Sequence, residues 1–144
     1  MLIGEYLHTI DNKNRLSVPS KFRKELGKNV IVTRGLDKCL FLYTASEWKI
    51  LADKLAKLPW GKSETRTFVR MMIAGATDVE IDSLGRILLP DYLKVHANLS
   101  EAAIIVGLYN RVEIWNPGDW HKFSEGAQGN VELIAEKLGE LGLY

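Results

Sequence analysis

Residues 8–19 read His-Thr-Ile-Asp-Asn-Lys-Asn-Arg-Leu-Ser-Val-Pro, and residues 79–90 read Val-Glu-Ile-Asp-Ser-Leu-Gly-Arg-Ile-Leu-Leu-Pro. Asp11 and Asp82, Arg15 and Arg86, and Pro19 and Pro90 are each 71 residues apart. Three chemically different residues sharing one spacing mark an internal duplication. An enzyme site rarely needs the same loop twice on one chain, whereas a surface that grips a long repetitive partner often does.

Both halves read outward from that phrase in the same way. Glu5 to Ile10 alternates and is rich in strand formers, Asp11 to Asn14 is turn chemistry, and Arg15 to Val18 is a second short strand. Together these predict a hairpin or tight strand reversal. Pro19 suits the first turn of a short helix that Gly27 ends. Val30–Thr33 and Leu40–Tyr43 are apolar strands. Thr44 and Glu47 form a capping box that opens a helix with Trp48, Leu51, Leu55 and Leu58 on one face. The second half repeats the pattern with strands at 77–81, 86–89, 103–108 and 112–115, and a short helix after Pro90. Asn116-Pro117 is a cap followed by Pro at the first helical position. Trp48 and Trp120 hold matching places.

Two further helices lack strand partners. Residues 63–75, with Phe68, Met71 and Met72, join the halves. Residues 130–141 carry Val131, Ile134, Leu138 and Leu141 on one stripe. These helices offer more apolar surface than two small sheets can cover, so part of it is expected to pack on another subunit. The pattern predicts units at 1–62 and 76–125, a linking helix at 63–75 and an oligomerisation helix in 126–144.

Composition narrows the function. The chain has 144 residues, 47% hydrophobic and 26% charged, which is the balance of a soluble globular protein. No run approaches the length a membrane span needs, and the first residues lack the pattern of a signal peptide. Together these point to the cytoplasm. A single cysteine, Cys39, allows no intrachain disulfide and reads as a small core residue. His8, His96 and His121 lack ligand spacing, and no nucleophile motif or phosphate loop occurs, so neither cofactor, metal nor enzyme is expected.

Net charge is only +1, but Lys13, Arg15, Lys21, Arg23 and Lys24 fall between positions 12 and 24 with no acid among them. A basic patch on a near-neutral protein suggests an anionic partner. In each Asp-x-x-x-Arg loop, the Asp can accept backbone N–H groups and so rigidify the turn. Asn14 and Gly85 hold the same place, and both residue types tolerate positive φ. The Arg then either folds back onto its Asp or projects outward, where its fork suits phosphate or guanine. The plainer alternative is a duplicated ion pair that only holds the loop. Around Arg86 the sequence places Ser83, Asp91, Lys94 and His96, so the second copy reads as the more structural of the two.

Gly4-Glu5-Tyr6, His8-Thr9, Asp11…Arg15, Pro19 and Phe22-Arg23 resemble the opening of the MraZ family. Gly85-Arg86-Ile87, Pro90, Val106-Gly107 and Glu113-Ile114-Trp115 resemble its second half. The likeness runs through nearly the whole chain, with one departure at Asn14, where that family usually has Gly. The resemblance implies an α+β fold of two tandem swapped-hairpin, AbrB-like β-barrel units with flanking helices, related by a pseudo-twofold. It implies a ring-shaped homo-oligomer, commonly an octamer, and a nucleoid-associated transcriptional regulator. Its target would be double-stranded DNA with short direct repeats, upstream of the bacterial division and cell-wall gene cluster. Carried onto this chain, the family's DNA-contacting loops give Lys13 and Arg15, with Arg86 in the second copy, as DNA-binding candidates, and the basic patch adds Lys21, Arg23 and Lys24 as phosphate or structural candidates. Asp11, Asn14, Asp82 and Gly85 organise the loops. The rivals are an AbrB-like antitoxin and a ring-forming scaffold protein without specific DNA binding.

Overall fold

The computed structural model describes residues 1–143. In chain order the first half holds β1 (Ile3–Thr9), β2 (Arg15–Ser17), α1 (Ser20–Leu26), β3 (Asn29–Arg34), β4 (Leu40–Thr44) and α2 (Ala45–Ala56). Helix α3 (Ser63–Val69) leads to β5 (Thr77–Glu80), β6 (Arg86–Leu88), α4 (Asp91–His96), β7 (Ala102–Leu108), β8 (Val112–Trp115), α5 (Pro117–Gln128) and α6 (Val131–Glu140).

The strands pair across the halves. One antiparallel sheet has the order β1-β7-β8-β4-β3-β5, and β2 pairs with β6 in a separate two-stranded ribbon. Exchanging the halves leaves that order unchanged, so the chain is pseudo-twofold. β1 runs along β7 from Ile3 opposite Leu108 to Thr9 opposite Ala102, and β5 runs along β3. The chain does reverse tightly after β1, with an Ile10–Leu16 bridge and an Asp11 N–H to Arg15 carbonyl bond of 3.0 Å. No longer β1–β2 ladder follows, because β2 is claimed by β6. The fold is α+β, and its barrel-like part is the six-stranded sheet and the ribbon facing one core.

Strand periodicity sorts the side chains into two cores. Val30, Val32, Leu40, Leu42, Ile105 and Ile114 face Leu16 and Ile87 of the ribbon, with Phe22 of α1 and Leu93 of α4 beside them. Removing Phe22, which is fully buried, would cost about 3–5 kcal/mol in a site of this kind. On the opposite sheet face Phe41, Tyr43, Val106 and Trp115 pack with Leu55 of α2 and against Trp48 and Trp120. Cys39 belongs to this second core. Its thiol donates to the Leu36 carbonyl, and burial pushes its ionisation far up, so it is an inert core residue.

Capping chemistry sets several ends. Thr44 accepts the Glu47 N–H, and Asn116 accepts the Asp119 N–H. Pro19 and Pro90 sit just outside α1 and α4 as cap residues. The helix expected over 63–75 changes character: α3 ends at Val69 and residues Arg70–Ala74 form a π-helical turn. Side chains from both halves take its carbonyls. Thr33 Oγ1 donates to Met72 O at 2.7 Å, Arg34 Nη1 to Met71 O at 3.3 Å, and Tyr92 OH to Gly75 O at 2.9 Å. A methyl group at Gly75 would collide with Arg34 and the Met71 carbonyl. No helix among the described residues is long and apolar enough to cross a membrane.

Candidate nucleic-acid interface

Both loops are organised by their aspartate. Asp11 Oδ1 accepts the backbone N–H groups of Lys13 and Arg15, each at 2.9 Å, and Oδ2 accepts Arg15 Nε–H at 2.8 Å. Asp82 Oδ1 accepts Leu84 and Arg86 N–H at 2.9 Å, and Oδ2 accepts Arg86 Nε–H at 3.0 Å. Asn14 and Gly85 take the left-handed conformation that the tight turn requires, with φ of 61° and 77°. Hydrogen bonds to the charged form hold both carboxyls below their ordinary value; the backbone N–H of the loop's own arginine contributes most.

Both arginines therefore fold back as ion pairs. Folding back does not use up the guanidinium. Arg15 spends Nε on Asp11, and among the described residues neither Nη makes a hydrogen bond. The remaining end-on fork is the part of arginine that recognises phosphate or the O6/N7 edge of guanine. Arg86 is more enclosed by charge, because its Nη1 also lies 3.9 Å from Asp11 Oδ2.

The ribbon carries these arginines on one face. Leu16 pairs with Ile87, and both are fully buried. The alternate residues Arg15, Ser17, Arg86 and Leu88 lie on the other side, with Arg15 opposite Leu88 and Ser17 opposite Arg86. A two-stranded ribbon of this kind fits the width of the DNA major groove.

A family model described as "MraZ protein, putative antitoxin-like" matches residues 1–71 and again residues 72–138. The chain belongs to the MraZ family. A relative from Alkaliphilus metalliredigens is 48% identical over 143 residues, covering 99% of this chain and all of that protein. One from Limosilactobacillus reuteri is 51% identical, covering 96% of this chain and 97% of that protein. One from Desulfitobacterium hafniense is 49% identical over 99% of this chain and all of that protein. Each bears the name "Transcriptional regulator MraZ", a regulator's name and not an enzyme's.

The other charged candidates separate once the chain is folded. Lys13, Lys21 and Lys24 are exposed. Arg23 is not a free cation beside Arg15. Its Nε donates to the Val18 carbonyl at 3.0 Å, and its guanidinium lies against Gly85 of the second loop. Conversely, Asp91 and Lys94 do not surround Arg86. Asn14 Nδ2 donates to Asp91 Oδ1 at 2.9 Å, and Lys94 Nζ donates to Asn14 Oδ1 at 2.6 Å. Reading charges by sequence proximity misplaces Arg23, Asp91 and Lys94 because β2 and β6 pair across the halves. The swapped hairpins implied by the family resemblance were the signal that neighbours trade places.

The histidines are dispersed. His121 pairs with Glu125 at 3.1 Å, His96 Nε2 lies 3.3 Å from the Gly35 carbonyl, and His8 is disfavoured as a cation by burial and then by Arg23. Among the described residues no cluster of three or more His, Cys, Asp or Glu is arranged to hold a metal ion.

Proposed function

We propose that this protein is a cytoplasmic, nucleoid-associated transcriptional regulator that binds double-stranded DNA by sequence, using the β2–β6 ribbon. One observation carries the reading: two half-buried arginines, each oriented by its own aspartate, share the outward face of a groove-sized ribbon. Arg15 reads a base edge or anchors to phosphate through its Nη fork, and Lys13 adds a phosphate contact. Arg86 is the second, weaker contact. Lys21 and Lys24 supply sequence-independent attraction. The names carried by its relatives support the regulatory role.

Two carboxylates offset the two arginines, so one ribbon alone grips DNA modestly and salt-sensitively. Assembly supplies what one ribbon lacks. Helix α6 buries none of its residues; it exposes Val131, Ile134 and Leu138, and Leu141 is exposed just past its end. We assign that stripe to contacts between copies in a ring, the octamer expected from the family resemblance. A ring would present the ribbon repeatedly and suit short direct repeats spaced about one helical turn apart, of the kind expected upstream of the division and cell-wall gene cluster.

Selection of bound sequences from a random DNA pool, repeated at two salt concentrations, tests the reading. Enrichment of a short repeated box at both salts is the expected result; a pool that stays random would sink sequence-specific binding. The family description also says antitoxin-like, and a chain of that type would show its main affinity for a protein. Deleting residues 130–144 is expected to lower the oligomer size in light scattering. An unchanged size would place the α6 stripe outside the assembly contacts.

A further inference from the structure

We propose that the short helices brace the loops crosswise: Arg23 of α1 is a positioning residue for the Asp82–Arg86 loop, and Lys94 of α4, acting through Asn14, is one for the Asp11–Arg15 loop. Its consequence for DNA rests on the function proposed above. The brace itself is a property of the free protein.

Equivalent positions meet in both braces. Arg23 and Lys94, Asn14 and Gly85, and Val18 and Leu89 are each 71 residues apart. The Val18 N–H donates to the Gly85 carbonyl, and the Leu89 N–H donates to the Asn14 carbonyl, both at 2.8 Å. Each loop is thus tied at its positive-φ residue to the chain that follows the opposite loop.

The side chains complete the tie by different means. At the second loop, Arg23 Nε donates to the Val18 carbonyl at 3.0 Å. The flat guanidinium then fills the space that a Cβ on Gly85 would need. A Cβ there would push the guanidinium aside, so this packing depends on glycine at position 85. At the first loop, Asn14 uses its side chain. Lys94 can only donate and the Asp91 carboxylate can only accept, so the Asn14 amide is fixed with its oxygen toward Lys94 and its nitrogen toward Asp91. The loop that holds Asn14 gains a polar bridge in the place where the other is packed by a guanidinium.

Arg23 is therefore committed to protein. A phosphate contact works by charge, and lysine substitutes for much of it. Packing flat on Gly85 while donating from Nε is open to arginine alone. These two roles predict different outcomes for the same variants.

Amide hydrogen exchange on the full-length protein without DNA tests the brace directly. Arg23→Ala and Arg23→Lys are each expected to speed exchange at Leu84 and Arg86 roughly tenfold, leaving Lys13 and Arg15 unchanged. Lys94→Ala is expected to do the reverse. Exchange that rises only in the substituted residue's own half, or in neither loop, would overturn the crossed brace. The Lys94 variant keeps the test decisive if Arg23 variants fold poorly.

DNA titrations across salt then test the consequence. Both Arg23 variants are expected to weaken specific binding about tenfold with the salt slope unchanged. A slope reduced by about one contact in Arg23→Ala, with affinity restored in Arg23→Lys, would make Arg23 a phosphate contact and refute its positioning role. Failure of the unsubstituted protein to bind any DNA would remove the function proposed above, while the exchange result would still decide the brace.

Discussion

The Asp11–Arg15 and Asp82–Arg86 loops have the same anchoring hydrogen bonds, with equivalent distances agreeing within 0.2 Å, and different surroundings. In the first, Arg15 answers to one carboxylate, and exposed Lys13 stands at the tip. In the second, Arg86 lies near two carboxylates, and the tip position equivalent to Lys13 is Leu84, 65% exposed. Duplicated geometry with unequal charge separates two tasks. The Asp–Arg anchor makes the shape, and the residues around it decide how strongly that shape attracts an anion.

Single substitutions can break that comparison. Arg15→Ala is expected to lower specific DNA affinity about a hundredfold, since a base contact is worth about 1–3 kcal/mol and repeated copies compound its loss. Gel shifts measure it, with light scattering showing an intact oligomer. Arg86→Ala is expected to cost roughly tenfold in the same assay. If Arg86→Ala does the greater harm, the roles of the loops are reversed.

Leu84→Lys sharpens the comparison from the other side by giving the second loop the first loop's tip charge. Non-specific affinity should rise severalfold, and the salt slope should steepen by about one contact. An unchanged slope would mean that the second loop does not approach the DNA backbone.

Acid should affect the two anchors alike. Both aspartates have folded values below the ordinary 3.8. A carboxyl with a depressed folded value stabilises the loop above its unfolded value, and that contribution fades as pH falls through the folded one. NMR titration of the carboxyl carbons is expected to give midpoints below 3.8 at Asp11 and Asp82, and loops that loosen only in acid. A midpoint at or above 3.8 for either would show that its anchor is absent in solution.

Much of this was legible in the residues. Alternation located the strands, the Thr44–Glu47 box and Asn116-Pro117 opened helices where they occur, and equal spacing exposed the duplication. Asn14 and Gly85 identified the positive-φ position. Pairing partners were harder, because β1 alternates in the same way whether it joins β2 or β7. The tight reversal at 11–14 is present, yet the ladder belongs to the other half. The π turn at 70–74 was also hidden, since the side chains that take carbonyls in and just after it, from Thr33, Arg34 and Tyr92, are distant in sequence. The site was half visible for the same reason. Asp–Arg contacts within one loop follow from spacing, whereas Arg23 on Gly85 and Lys94 on Asn14 follow only from crossed strands.

The crossed sheet also bears on synthesis. β1 is made first, but its partner β7 lies about a hundred residues later. At roughly 5–20 residues per second, the ribosome leaves that strand edge waiting for several seconds. The first half cannot close on its own while it emerges. The β3–β4 ladder can form early, but the β1 ladder forms only after most of the second half is available, so a nascent chain interrupted before residue 102 would carry an unsatisfied edge open to other chains.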